Sequence, residues 1–170
     1  MIVDCYTHLI WYPDHLSERY AQEALAAKLV KLKYSGGQSY TANLDLHVYD
    51  AKPDNHWEVS QPASKAVVFG LQAKARDIWV PNEIIADYVQ HHPEKLEGWA
   101  SVDPNEPDCL EQLDYCFSVL GLKGLKLGPV YQHFDPQDRK HWPLIKKCEQ
   151  PGMPIMWHQG TTFPSQARLR

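Results

Sequence analysis

At 170 residues, with 44% hydrophobic and 22% charged side chains, the chain has the composition of one globular domain and is too apolar to stay disordered. A formal net charge of −4, with nine histidines counted as neutral, leaves no basic footprint for nucleic acid, and no run nears the roughly 20 apolar residues of a membrane span. Cys5, Cys109, Cys116 and Cys148 form no C-x-x-C pair and are too sparse for a disulfide scaffold, so free thiols in a reducing cytoplasm are expected.

The N-terminus, Met-Ile-Val-Asp, lacks the positive stretch and longer apolar run of a secretory signal. Residues 2–8 form the first expected strand, and alternation puts Asp4, Tyr6 and His8 on one face. A helix is expected over Asp14 to Lys33, entered after Pro13 and stopped by Gly36-Gly37. Residues 38–64 lack periodicity and read as an insertion after this helix, holding one irregular strand around Asp45 to Tyr49. Lys65 to Leu71 is the second main strand. Pro81 to His92 is the second helix, with Ile84, Ile85, Tyr88 and Val89 at helical spacing. A strand at Leu96 to Val102, a turn at Asp103 to Pro107, and a helix at Asp108 to Leu120 follow. The series ends with a strand at Leu122 to Leu127, a helix at Gln137 to Gln150 and a strand at Pro154 to His158.

This alternation argues for right-handed β-α-β units and a parallel sheet. An open doubly wound sheet and a closed barrel both satisfy it, but no G-x-G-x-x-G follows the first strand, which removes the main support for a dinucleotide-binding sheet. The five main strands are three short of a TIM barrel, which has eight strands and typically about 250 residues.

In such a barrel the active-site groups gather at the C-terminal ends of the strands, where His8 and His158 both fall. Two imidazoles at one barrel mouth suit a divalent cation, although two histidines out of nine also meet there by chance. Lys126 alternates with Gly124 and Leu122, so a lumen-facing Lys126 would have Gly124 leaving room beneath it. Burial there would lower its pKa and fit it to bind a substrate carboxylate or form a metal-bridging carbamate; at a solvated strand end it would be an ordinary snorkelling lysine. Asp103, just before Pro104, reads as a turn former or helix N-cap ahead of a catalytic acid. Tyr131, Gln132 and His133 follow the fourth main strand on a loop that suits substrate contact or a surface turn equally.

Four segments taken together go further: Ile-Val-Asp-Cys-Tyr-Thr-His at 2–8, Trp-Ala-Ser-Val-Asp-Pro at 99–104, Gly-Leu-Lys-Gly-Leu-Lys-Leu-Gly-Pro at 121–129, and Pro-Ile-Met-Trp-His-Gln-Gly-Thr at 154–161. In this order they resemble the amidohydrolase-related family of metal-dependent hydrolases, in the branch of aminocarboxymuconate-semialdehyde decarboxylase and related aromatic-acid decarboxylases. The resemblance implies a (β/α)8 barrel with one catalytic divalent metal, often zinc, held by a His-x-His pair on the first strand, a His on the fifth and an Asp on the eighth. His8 matches the second His of the pair and His158 the fifth-strand His, while Tyr6 stands where the first His is expected. The eighth-strand Asp, and a later His that often serves as acid or base, would fall beyond Arg170. Lys126, Trp11 and Gln159 are assigned to substrate binding, and no residue is assigned as catalytic.

The expected fold is therefore α/β: an incomplete (β/α)8 TIM barrel of about five βα units, with residues 1–170 as one N-terminal portion of the domain and 38–64 inserted. A catalytic zinc site normally has three protein ligands, and two imidazoles with a phenol fall short of that. A phenol pKa near 10 makes Tyr6 costly to deprotonate, so zinc is expected to be weakly bound or absent. The implied activity is metal-dependent hydrolysis of a small carboxylated substrate. The alternatives are decarboxylation of an aromatic or ring-derived acid, a non-catalytic truncated barrel, and an α/β binding module unrelated to metal chemistry. Exposed edges at residues 2–8 and 154–158 predict self-association, and the chain alone is expected to be inactive.

Overall fold

A computed structural model describes residues 1–34, 44–149, 152–160 and 162. In chain order the elements are β1 (Val3–His8), β2 (Ile10–Trp11), α1 (Glu18–Tyr34), β3 (Asp50–Ala51), α2 (Pro53–Val59), β4 (Lys65–Phe69), β5 (Gln72–Ala73), β6 (Ile78–Trp79), α3 (Asn82–Gln90), β7 (Leu96–Trp99), α4 (Cys109–Ser118), β8 (Leu125–Leu127), α5 (Pro129–Gln132), α6 (Trp142–Glu149) and β9 (Ile155–Trp157).

β1, β4 and β7 pair in parallel in that order. Ala100, just past β7, bridges in parallel to Leu125, and β8 pairs in parallel with β9. Five neighbouring staves thus run in chain order with helix between each consecutive pair, as in the wall of a TIM barrel. Among the described residues β1 and β9 each pair with one stave only, so the wall is open.

The central staves are apolar enough to be covered on both faces, as parallel strands require. Ala66, Val68 and Phe69 of β4 are buried, and so are Leu125, Lys126 and Leu127 of β8. Ile85 of α3 and Leu113 of α4 reach the same core. Asn82 locks α3 to the end of the third stave: its side chain donates to the Ser101 carbonyl and accepts from the Ser101 amide.

Several details differ from the sequence expectation. The last helix, expected from Gln137, is a 3-10 turn over Arg139–His141 followed by α6 from Trp142, and the fourth main strand, expected from Leu122, starts at Leu125. The first helix starts later, at Glu18, because Ser17 accepts the Tyr20 amide as a cap while the Asp14 carboxylate is taken by the Trp11 indole. Residues 44–64, the described part of the segment expected to be an insertion, hold more regular structure than their lack of periodicity suggests. Asp45 caps a 3-10 turn over Leu46–Val48 where a strand is expected, β3 pairs antiparallel with β2, and Pro53 opens the short helix α2. The register of β1 against β4 shifts between Asp4 and Thr7, so Asp4 does not share the face of Tyr6 and His8. Finally, Tyr131 and Gln132 belong to a one-turn helix, α5, rather than a loop. Gly36, Gly37, the insertion up to residue 43 and Gln150 lie outside the described residues.

The four cysteines are free. Among the described residues no helix is long and apolar enough to cross a membrane.

Candidate functional site

A cavity of about 430 Å³ opens where the staves end. Tyr6 and His8 enter it from β1, Lys126 from β8, and His158 from just past β9. Tyr20 of α1, Tyr49 beside β3 and Tyr131 of α5 complete an aromatic wall, with Ile10, Leu71 and Ile78 among the apolar remainder. The volume falls in the range of small-molecule sites.

The first and fifth staves meet across this space. The Tyr6 hydroxyl lies 3.1 Å from His158 Nδ1, and the His158 amide donates to the Leu127 carbonyl at 2.8 Å, which fixes the loop that carries the ring. The Tyr131 and His158 rings are 4.8 Å apart, and Tyr6 and His8 pack edge to face at 5.3 Å.

Among the described residues Lys126 is the one lysine or arginine in the lining, and it is only 1% exposed. Among the described residues its Nζ finds no hydrogen-bond partner, and it lies 4.6 Å from the centroid of the Tyr6 ring and 5.5 Å from that of Phe69. Burial lowers its pKa to about 8. The room that Gly124 was expected to leave beneath this lysine is occupied instead: a Cβ there would meet the Trp99 indole at 2.5 Å. Burial first, then the Lys126 and His158 charges, holds His8 at about 3, so its imidazole is neutral at pH 7. Burial also raises Tyr6, Tyr49 and Tyr131, leaving these phenols protonated.

The structure thus brings together Tyr6, His8, Lys126 and His158. It does not bring Trp11 or Gln159 into the lining. The Trp11 indole donates to Asp14 at 2.6 Å and packs on His15, and Gln159 is exposed. Asp103 is buried and accepts from the amides of Lys74 and Asn105, which makes it a turn former. Gln132 is wholly buried: its side-chain oxygen accepts from the Gly128 amide, and its nitrogen donates to the carbonyls of Gln72 and Val102. It ties the ends of three staves together beneath Tyr131. Sequence reasoning missed Tyr20 and Tyr49. Tyr20 was legible only as a buried helical position, and nothing local marked Tyr49, which reaches the cavity through the β2–β3 pairing.

Whether these residues suit a divalent metal turns on the donor set. Among the described residues no group of three or more His, Cys, Asp or Glu is placed to hold a metal ion. His8 and His158 are two imidazoles, no carboxylate lines the cavity, and the Tyr6 phenol, pushed away from ionisation, is engaged with His158. The described residues do not fit a complete catalytic metal site.

The fold and cavity together define a (β/α) barrel wall of the TIM type, with its ligand space at the C-terminal ends of the staves. The family model for amidohydrolases matches residues 3–169, and the chain belongs to that family. A search of curated proteins gives no match. Among solved structures, an uncharacterized TIM-barrel protein from Bordetella bronchiseptica superposes with a TM-score of 0.67 at 16% identity, covering 96% of this chain and 57% of that one. A 5-carboxyvanillate decarboxylase from Novosphingobium aromaticivorans, complexed with manganese and 4-hydroxy-3-methoxy-5-nitrobenzoic acid, gives 0.61 at 13% identity, over 95% and 51% of the two chains. A 4-oxalomesaconate hydratase from Rhodopseudomonas palustris gives 0.54 at 18%, over 93% and 52%. At these identities the likeness shows the fold. The chain spans about half the length of the solved structures it resembles.

Proposed function

We propose that the chain forms the ligand-binding wall of an amidohydrolase-type enzyme that acts on a small carboxylated substrate. The observation that carries this reading is Lys126, a buried amine that among the described residues has no hydrogen bond and faces a cavity without a carboxylate. Hydrolysis is the first reading of the reaction. Decarboxylation of an aromatic acid is the second, favoured by the tyrosine-rich lining and by the likeness to a 5-carboxyvanillate decarboxylase. The His8 imidazole is held neutral, the form that ligates a metal. A divalent metal, zinc by its preference for imidazole, is weakly bound or absent on these residues, with His8 and His158 as the two ligands they offer.

Association of two copies through the unpaired edges of β1 and β9 belongs to the same proposal. Met1, Ile2 and Val3 leave exposed apolar surface beside the β1 edge. A stable monomer in gel filtration would contradict it. Four free cysteines support a reducing, cytoplasmic setting.

The activity is tested by supplying zinc or manganese and screening aromatic carboxylic acids and carboxylated lactones for turnover, with Lys126→Met and His158→Ala alongside. Turnover is expected to be absent or weak on the two imidazoles alone, so the same compounds are also scored for binding. Binding by the wild-type chain that Lys126→Met loses is the expected result. No binding of any of these acids by a folded wild-type chain would contradict the reading and favour the non-catalytic barrel.

A further inference from the structure

The charge inventory of the cavity is lopsided. Among the described residues Lys126 faces it, no Asp or Glu lines it, and the other polar side chains of the lining are phenols and imidazoles. An ammonium taken from water without a hydrogen-bonded counter-charge carries a cost that an entering anion offsets. At Lys126 that cost is met in part by ring faces, since the nitrogen sits over Tyr6 and near Phe69, and these leave its N–H groups without an oxygen acceptor.

Around this point the wall is aromatic. The rings of Tyr6, Tyr20, Tyr49 and Tyr131 line the cavity, and the Tyr131 hydroxyl accepts from Thr162, which leaves its own proton available to donate. A ligand of matching chemistry has an anionic head for the lysine and a flat apolar body for the rings. The position where a third metal donor is implied holds Tyr6, whose ring faces the lysine and whose hydroxyl meets His158.

We propose that this cavity captures an aromatic carboxylate without a metal, the Lys126 ammonium taking the carboxylate and the tyrosine wall taking the ring. The inference rests on the carboxylated-substrate reading and deepens it: the lysine takes the anchoring role that a metal cation would otherwise have. Positive charge is supplied by the chain itself, so recognition needs only the protein.

Titration calorimetry with benzoate and its neutral isostere benzamide tests this, first in excess chelator and then with zinc or manganese supplied. Benzoate is expected to bind in chelator at least about tenfold more tightly than benzamide. Lys126→Met, shown to be folded by its cooperative urea transition, is expected to lose at least about tenfold in benzoate affinity while keeping its affinity for benzamide. Lys140→Met removes an exposed ammonium that pairs with Asp138 outside the cavity lining and is expected to hold benzoate within about threefold of wild type. Benzoate binding that appears only with added metal, or that survives Lys126→Met unchanged, would overturn the inference and leave the carboxylated-substrate reading standing. No benzoate binding under any condition would overturn both.

Discussion

Gln132 and Lys126 are six residues apart, both at the end of the fourth stave and both almost wholly buried, yet their polar ends are treated in opposite ways. The Gln132 amide makes three hydrogen bonds, to Gly128, Gln72 and Val102, whereas Lys126 Nζ makes none. A buried polar group is normally paired, and each exception calls for a reason. The comparison separates a side chain that holds the barrel mouth together from one whose partner comes from outside.

Breaking the first side of this comparison has the largest expected effect. Gln132→Leu removes three bonds and strands two buried carbonyls and an amide, which should lower the unfolding free energy by about 3–5 kcal/mol in urea denaturation. The second side should move the other way. Lys126 has a folded-state pKa of about 8 against an ordinary 10.5, so the charged form is disfavoured in the folded protein. Below pH 8 that penalty is fully present, and it fades as the pH rises towards 10.5. Lys126→Met should therefore raise stability by up to about 3 kcal/mol at pH 7, less whatever the loss of the ring contacts costs. Wild-type stability should gain on the variant between pH 8 and 10.5, and equal denaturation midpoints throughout would contradict this. The smallest effect sets the baseline. Arg19 and Asp77 form an ion pair at 3.0 Å with both side chains half exposed, and Arg19→Ala should change stability by no more than about 0.5 kcal/mol.

The same contrast marks what the sequence made legible. The five staves announced themselves because buried parallel strands need apolar runs and the helices between them need periodicity, as in Ala66 to Phe69 and Ile84 to Val89. His8, Lys126 and His158 fell at stave ends, and the fold brought all three into one cavity. Features that depend on long-range contact stayed hidden. The shift within β1 turns Asp4 from the face of Tyr6 and His8, and no local residue pattern encodes it. Gly124 read as space below Lys126, but the neighbouring stave sends Trp99 into that space. Trp11 and Gln159 stand beside cavity-forming segments in sequence, yet one is drawn to Asp14 and His15 and the other to solvent. Tyr49 enters from a segment without periodicity, through two residue pairs between β2 and β3. Gln132 gave no sign of its role, since its three partners lie on different turns and staves.

Lys126 is buried with no anion among the described residues to pair with until a ligand enters. NMR titration of the chain labelled at the lysine Cε carbons, with the Lys126 signal assigned by its loss in Lys126→Met, measures this directly. A pKa of about 8 that rises when benzoate is added is the predicted result, and an ordinary value of 10.5 that benzoate leaves unmoved would contradict it.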